Sequence, residues 1–323
     1  MRDKFIRWFT GAQPFVVGAW WGRAGVCLVR AKPMDNFQRV MEVVYEPCGL
    51  GFANQPDTGL SNRGEMVNAL RCAAERLGGL EFTLALGIPS GDVFTKNIEI
   101  PAGLTTKQIE QISVVEAVSN LPVPPEEICA DFLKHSAEMA AHTERIDIAF
   151  CKRGLIDELG IVAEDAGVVL SVVDRDIQAV HDATLWCANA QGSLKPVEYP
   201  LGILIEGDEK IFIVSRNALD HVSYVFKSAD NDPSDLVVTA DSVSKELQVY
   251  CRRAGLNFEN GRALNQLFLV VDADSSTVAA STVESLSQDT LEIHPTTFVK
   301  GDGSISPVYG MMVALGMALR KTA

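Results

Sequence analysis

Two short turns carry the residue types best suited to phosphate chemistry. The first, Gly22-Arg23-Ala24-Gly25, lies between two apolar β-type runs, Phe15–Trp20 and Val26–Arg30. The second, Glu206-Gly207-Asp208, lies between Leu201–Ile205 and Lys210–Val214. Backbone N–H groups of a glycine-bearing turn can converge on phosphate oxygens, and Arg23 adds a cation. A carboxylate just ahead of the turn would hold Mg2+ and orient water. At the first turn that carboxylate is missing, and Trp20 and Trp21 stand in its place. At the second, Glu206 and Asp208 flank Gly207, so acid and glycine are both present and either acid is placed to replace part of the lost charge.

A second candidate region is 105–119. Thr105 and Gln108 form a capping-box pattern, and Ile109, Ile112, Val115 and Val118 follow at helical spacing. Glu116 sits beside that stripe. Packing of the aliphatics on strands beneath is the default use of such a face, and Glu116 either faces solvent or meets a cation. Asp174 and Asp176 flank Arg175 where a strand gives way to a helix; capping and the helix dipole account for the acids. His181 and Trp186 fall in the helix that follows and read as core residues. Serine-nucleophile, Walker A and dinucleotide fingerprints are absent.

The elements that must position these residues form two similar series. In the first, a strand over 37–45 follows the hairpin, then a helix over 65–77 ended by Gly78–Gly79, and strands over 82–89 and 93–100. After the helix of 105–119, strands over 128–133 and 146–151 are predicted to pair. A helix (154–166), a strand (167–173) and a helix (176–189) follow. The second series repeats strand–turn–strand and adds a strand over 222–227, a helix over 237–254 with Val243, Leu247 and Tyr250 inward, and a strand over 267–271. A helix over 276–286, a short strand over 291–293 and a final apolar helix over 308–320 complete it. Strands alternating with helices in this way predict an α/β fold.

Composition narrows the class. With 323 residues, 47% apolar and 22% charged, the chain suits about two packed globular domains. A net charge of −14 repels phosphate backbones and argues against nucleic acid as a partner. Seven scattered cysteines without a CxxC pair indicate a reducing compartment rather than a disulfide framework or zinc site. No apolar run reaches the roughly 18–20 residues of a membrane span. In residues 1–10, Phe5, Ile6, Trp8 and Phe9 alternate with Arg2, Lys4 and Arg7. That segment either packs on the first strand or touches an anionic membrane surface.

The repeated hairpin-then-α/β plan resembles the actin and sugar-kinase superfamily. Within it, three collinear pieces resemble the type IV pilus assembly protein PilM family. Residues 98–132 carry Glu116–Ala117, the proline turn Pro122–Pro125 and Asp131. Residues 146–180 carry Ala149, Lys152, Ala166–Gly167 and Val173–Asp174. ALGMALR (314–320) resembles the closing helix. The resemblance implies a two-domain actin-like (ribonuclease H-like) α/β fold with an inserted extra subdomain. Residues 1–13 would be a leader, 14–197 the first domain with the insertion at about 90–152, 198–307 the second, and 308–323 a helix returning to the first.

Where the family carries an acid in its first strand, this chain has Trp20. Where the family has a Gly-Gly nucleotide contact, it reads Asp272-Ala273-Asp274. The resemblance therefore implies a scaffold with a vestigial cleft lined by Gly22, Arg23, Gly25, Glu206, Gly207 and Asp208. ATP and Mg2+ are doubtful cofactors, and catalysis and a bound metal are not expected. Ile109, Ile112, Val115 and Glu116 would form a groove for the PilN-like tail of a bitopic inner-membrane protein. The chain would be cytoplasmic, peripheral to the inner membrane, and in contact with cytoplasmic pilus components. MshI-type degenerate relatives and GspL-like secretion modules are similar alternatives. An active ATPase or small-molecule kinase of the same fold is the competing class. A homodimer stays open.

Overall fold

A computed structural model of the chain describes residues 16–22, 25–33, 39–48, 63–79, 82–134, 143–192, 196–206, 211–218, 220–225, 240–257, 263–271, 287–301 and 307–319. The first half runs β1 (Val16–Gly22), β2 (Gly25–Pro33), β3 (Arg39–Pro47), α1 (Arg63–Arg76) and β4 (Thr83–Ile88). An excursion follows through β5 (Phe94–Pro101), α2 (Thr106–Val118), β6 (Ile128–Lys134) and β7 (Thr143–Lys152). The chain then continues into α3 (Arg153–Ala166), β8 (Val169–Arg175) and α4 (Asp176–Ala190). The second half runs β9 (Leu201–Glu206), β10 (Ile211–Ser215), β11 (His221–Val225), α5 (Ala240–Arg253), β12 (Leu264–Val271), β13 (Ser287–Ile293), β14 (Val299–Gly301) and α6 (Val308–Leu319).

Two large sheets repeat one strand order. The first is β14-β3-β2-β1-β4-β8 and the second β11-β10-β9-β12-β13. In each, three strands joined as antiparallel hairpins are extended by two parallel strands beside the first of them. This doubled order is the actin-like, ribonuclease H-like plan. Parallel strand β14 adds to β3, so chain from the second half completes the edge of the first sheet.

β1 is a near-continuous apolar run because both of its faces are buried. Val17, Ala19 and Trp21 face a core shared with α1 and α3. Val16 and Trp20 face a core shared with α4 and α6, and that core continues through Leu201, Ile203, Ile205, Ile211 and Ile213 of the second sheet. α4 and α6 therefore lie between the sheets, and α5 covers the far side of the second. α6 is apolar all round, as a helix buried on every side must be. It approaches closely because its glycines and that of β1 lack side chains. A Cβ on Gly18 would lie 1.9 Å from the Ala314 carbonyl oxygen, and one on Gly316 1.9 Å from that of Ala179.

β5-β7-β6 form a separate antiparallel sheet, and the predicted pairing of 128–133 with 146–151 is present as β6 against β7. α2 covers one face of it, with a core of Ile100, Ile109, Ile128, Ile146, Ile148 and Phe150. The expected capping box is present: Gln108 N–H donates to Thr105 Oγ1 at 3.4 Å, and Thr105 N–H donates to Gln108 Oε1 at 2.9 Å. β3 begins at Arg39, two residues beyond the predicted start, and β2 extends to Pro33 beyond the predicted Arg30. The helix predicted over 276–286 and the amphipathic segment 1–10 lie outside the described residues. Among the described residues no helix is long and apolar enough to cross a membrane.

Candidate functional site

The predicted phosphate turn starts from two paired glycines. β1 and β2 meet at Gly22 opposite Gly25, and Gly25 has φ 156°, which a side chain would resist. Arg23 lies outside the described residues, as do Gly207 and Asp208 at the second turn; Glu206 ends β9.

Alternation along β1 separates the two tryptophans. Trp21 points away from the inter-sheet side and is 1% exposed in the core under α1 and α3. Sequence alone put both indoles at the missing acid's place; only Trp20 faces the inter-sheet side. Its ring is wedged between Gly22 and Gly310 of α6. A Cβ on Gly22 would lie 1.9 Å from Trp20 Cζ2, and a Cβ on Gly310 2.3 Å from Trp20 Cε3. The strand partner of Trp20 on β4 is Gly87, where a Cβ would meet Val313 Cγ1 at 2.2 Å. Three glycines thus make room for one indole and the helix above it. β1 carries no carboxylate, and the apolar Trp20 ring stands at its inter-sheet end.

Next to this ring, Asp176 joins three elements. Its Oδ1 accepts from Ile177 N–H at 2.7 Å and Ser90 N–H at 3.0 Å, and from the Ser90 hydroxyl. The Tyr309 hydroxyl, one residue before Gly310, also bonds it. Burial raises the Asp176 carboxyl above its ordinary value, and these bonds pull it back in part. Asp174 Oδ1 accepts from Arg175 N–H at 2.7 Å. The cap position of α4 is Arg175, which makes no side-chain cap bond, so neither acid caps the helix as expected; Asp176 is an acid of its first turn, as the dipole favours, and it ties the exit of β4 and α6 together.

A buried polar chain crosses from α4 to the second sheet. His221 is 6% exposed; its Nε2 meets Gln178 Oε1 at 2.9 Å and its Nδ1 meets Ser215 Oγ at 2.8 Å. The His221 ring lies 4.5 Å from that of His181, whose Nε2 meets the Tyr199 hydroxyl at 3.1 Å. Burial first, then the charges of His181 and Arg175, lower His221 to about 3, so it is neutral. His181 is buried, as its helical position implied, but it is also one member of this chain. His221 and Gln178 are 43 positions apart in sequence, and no local pattern announces their bond.

The predicted stripe on α2 divides. Ile109 is 2% exposed inside the core and Ile112 packs against that core, whereas Val115 is 65% exposed. The buried side follows Ile109, Ser113 and Ala117, spaced by four, so the helix is rolled relative to the expected face. The Ser113 hydroxyl donates to Ile109 O at 2.9 Å, which makes a polar residue acceptable there. Ile109 is therefore core and not a groove wall, which corrects its assignment to the partner face. Glu116 Oε2 accepts from Lys96 Nζ of β5 at 2.6 Å. Only Val115 and Glu116 of the four lie on the outer side.

Comparison with known proteins agrees with this architecture. The family model described as Type IV pilus assembly protein PilM matches residues 21–194. Among solved structures, a PilM-PilN type IV pilus biogenesis complex is similar over 95% of this chain and 98% of its own, with TM-score 0.64 and 15% identity. The cytoplasmic domain of EpsL, an inner membrane component of the type II secretion system of Vibrio cholerae, is similar over 95% of both chains, with TM-score 0.51 and 12% identity. At these identities the structural likeness concerns the fold.

Proposed function

We propose, for a chain that belongs to the type IV pilus assembly protein PilM family, the role of a non-catalytic cytoplasmic scaffold that captures the tail of a bitopic inner-membrane protein. It is a component of a type IV pilus or related secretion assembly. The carrying observation is the Trp20 indole held between Gly22 and Gly310. A phosphate–metal site needs a carboxylate and open space at that point, and an indole supplies neither. Trp20 thus trades metal chemistry for packing: it fixes α6 to the first sheet.

In this reading residues 14–197 and 198–307 are two lobes, 90–152 the inserted subdomain, and 308–323 the helix that ties the lobes together. Gly22, Arg23, Gly25, Glu206, Gly207 and Asp208 are remnants of a nucleotide cleft. The tail meets the outer side of α2, where Val115 offers apolar surface and Glu116 offers charge to a basic residue. The similarity to a complex whose description pairs PilM with PilN supports a tail of that kind.

The test is a pair of calorimetric titrations of the whole chain. A peptide copying the cytoplasmic tail of the bitopic membrane protein encoded beside it should bind at roughly micromolar Kd and raise the melting temperature. Mg-ATP should give no heat and no phosphate release. Turnover of ATP without tail binding would make the chain an enzyme and end the scaffold reading.

A further inference from the structure

We propose that Cys129 and Cys151 are a thiol modification site, which closes into a reversible disulfide when the chain meets a peroxide. The inference is independent of the scaffold reading. The two residues are far apart in sequence, yet strand register sets them directly opposite each other on β6 and β7. Opposed residues of antiparallel strands have Cα atoms about 4.5–5.5 Å apart. Disulfides span roughly 4.4–6.8 Å, so closure needs side-chain rotation and little backbone movement. The two thiols lie close enough that each shifts the acidity of the other.

Their surroundings divide the labour. Cys129 is half-buried, while Cys151 is buried. The Cys151 thiol donates to the Cys129 sulfur and lowers the Cys129 thiol below its ordinary value. The Arg153 guanidinium acts in the same direction, against burial and the charges of Asp131 and Asp157. Cys151 is pushed far up, chiefly by that same bond and then by burial. Arg153 is held at the spot by Glu126 O at 2.8 Å and Ile128 O at 2.9 Å. The arrangement is that of an attacking thiolate backed by a resolving thiol.

The chemistry balances with hydrogen peroxide as oxidant. The Cys129 thiolate attacks one peroxide oxygen, the O–O bond breaks, and hydroxide leaves, giving a sulfenic acid. The Cys151 sulfur then displaces that hydroxyl. An S–S bond forms, the Cys151 proton leaves with the oxygen as water, and the two thiols have together lost two electrons. A dithiol reductant reverses the step. Cys72 provides the internal contrast, being exposed on α1. The bond would lock β6 to β7 at the end where β7 passes into α3, the joint between the inserted sheet and the rest of the first half.

Peptide mapping of the reduced, full-length chain after brief treatment with hydrogen peroxide tests this. The alkylated digest should contain the 129 and 151 peptides joined, lighter by two hydrogens, and separated by dithiothreitol. Cys129→Ser should leave Cys151 fully alkylatable. Cys151→Ser should leave Cys129 as a sulfenic acid that dimedone traps. The wild-type map needs no variant to fold. Oxidation of Cys72 with Cys129 and Cys151 both still alkylatable would overturn the proposal. So would Cys129 passing to sulfinic acid beside an intact Cys151 thiol.

Discussion

The ends of β1 and β9 occupy equivalent places in two sheets of one strand order, yet they are made of opposite materials. β1 ends in Trp20-Trp21-Gly22, with one indole under α6. β9 ends in Glu206. On the inter-sheet side, β1 presents Gly18 where α6 comes closest, whereas β9 presents Ile203 and Ile205. Both strands keep the apolar alternation that makes them central, and both keep the hairpin that fixes their neighbours. Strand order depends on those two things alone. Chemistry depends on a few side chains at the tips, which can change without disturbing topology. The glycines then decide which sheet the shared helix lies against.

The comparison breaks hardest at the strand glycines. Gly18→Ala should cost about 4 kcal/mol or more, because its Cβ would meet backbone at 1.9 and 2.3 Å, in Ala314 and Ala318. Gly202→Ala in β9 should cost only about 1–2 kcal/mol. There the Cβ meets side-chain ends, Leu264 Cδ1 at 2.7 Å and Leu267 Cδ1 at 3.0 Å. Urea unfolding measures both, and equal losses would show that the helix does not depend on Gly18.

Trp20→Ala should cost about 3 kcal/mol, since Gly22 and Gly310 have no side chains with which to fill the gap. Trp20→Asp gives the first tip the acid of the second. It should destabilise at least as much and gain no Mg-ATP heat. If heat appears, the indole alone silences the cleft.

The polar chain between α4 and the second sheet sets a pH dependence. His221 titrates near its ordinary value of about 6.5 when unfolded but at about 3 when folded. Between those values the unfolded chain binds a proton that the native chain refuses, so stability falls as pH drops through that window. Going from neutrality to about pH 4.5 should cost the wild type roughly 2–3 kcal/mol more than His221→Gln. Burial raises Asp176, Asp131 and Asp92, and these acids shift stability the opposite way. The difference between the two proteins, read by chemical denaturation at each pH, removes their contribution. Parallel pH curves would contradict the neutral, buried His221.

What the sequence revealed depends on the range of the interaction. Both hairpins, the capping box at Thr105 and the β6–β7 pairing were legible because each is written in a few neighbouring residues. The separation of Trp20 from Trp21 was implicit in strand alternation, but which side faces the other lobe depends on where α6 returns. The His221–Gln178 bond joins distant segments and has no local signature, and although the pairing of β6 with β7 was legible, the register that sets Cys129 opposite Cys151 was not. The α2 stripe misled because two helical faces overlap there: Ile109 belongs to the series continued by Ser113 and Ala117, and a serine in that series hides it from hydropathy.

The smallest effect on stability should come from the outer side of α2, and it separates a partner face from a core face. Val115→Asp should change unfolding free energy by less than about 0.5 kcal/mol, because an exposed valine gives up little on becoming polar. Glu116→Gln should do the same, since its pair with Lys96 is partly exposed and such pairs contribute about 0–1 kcal/mol. Tail binding should respond differently: on the proposed reading each change weakens the tail peptide roughly tenfold, about 1.4 kcal/mol. Ile112→Arg distinguishes the two faces from the other direction, because Ile112 packs on the core of the inserted sheet. It should lower stability before it lowers affinity. If Val115→Asp and Glu116→Gln both leave tail affinity unchanged while the peptide still binds, the docking face lies elsewhere on the molecule, and the exposed valine is surface without a partner.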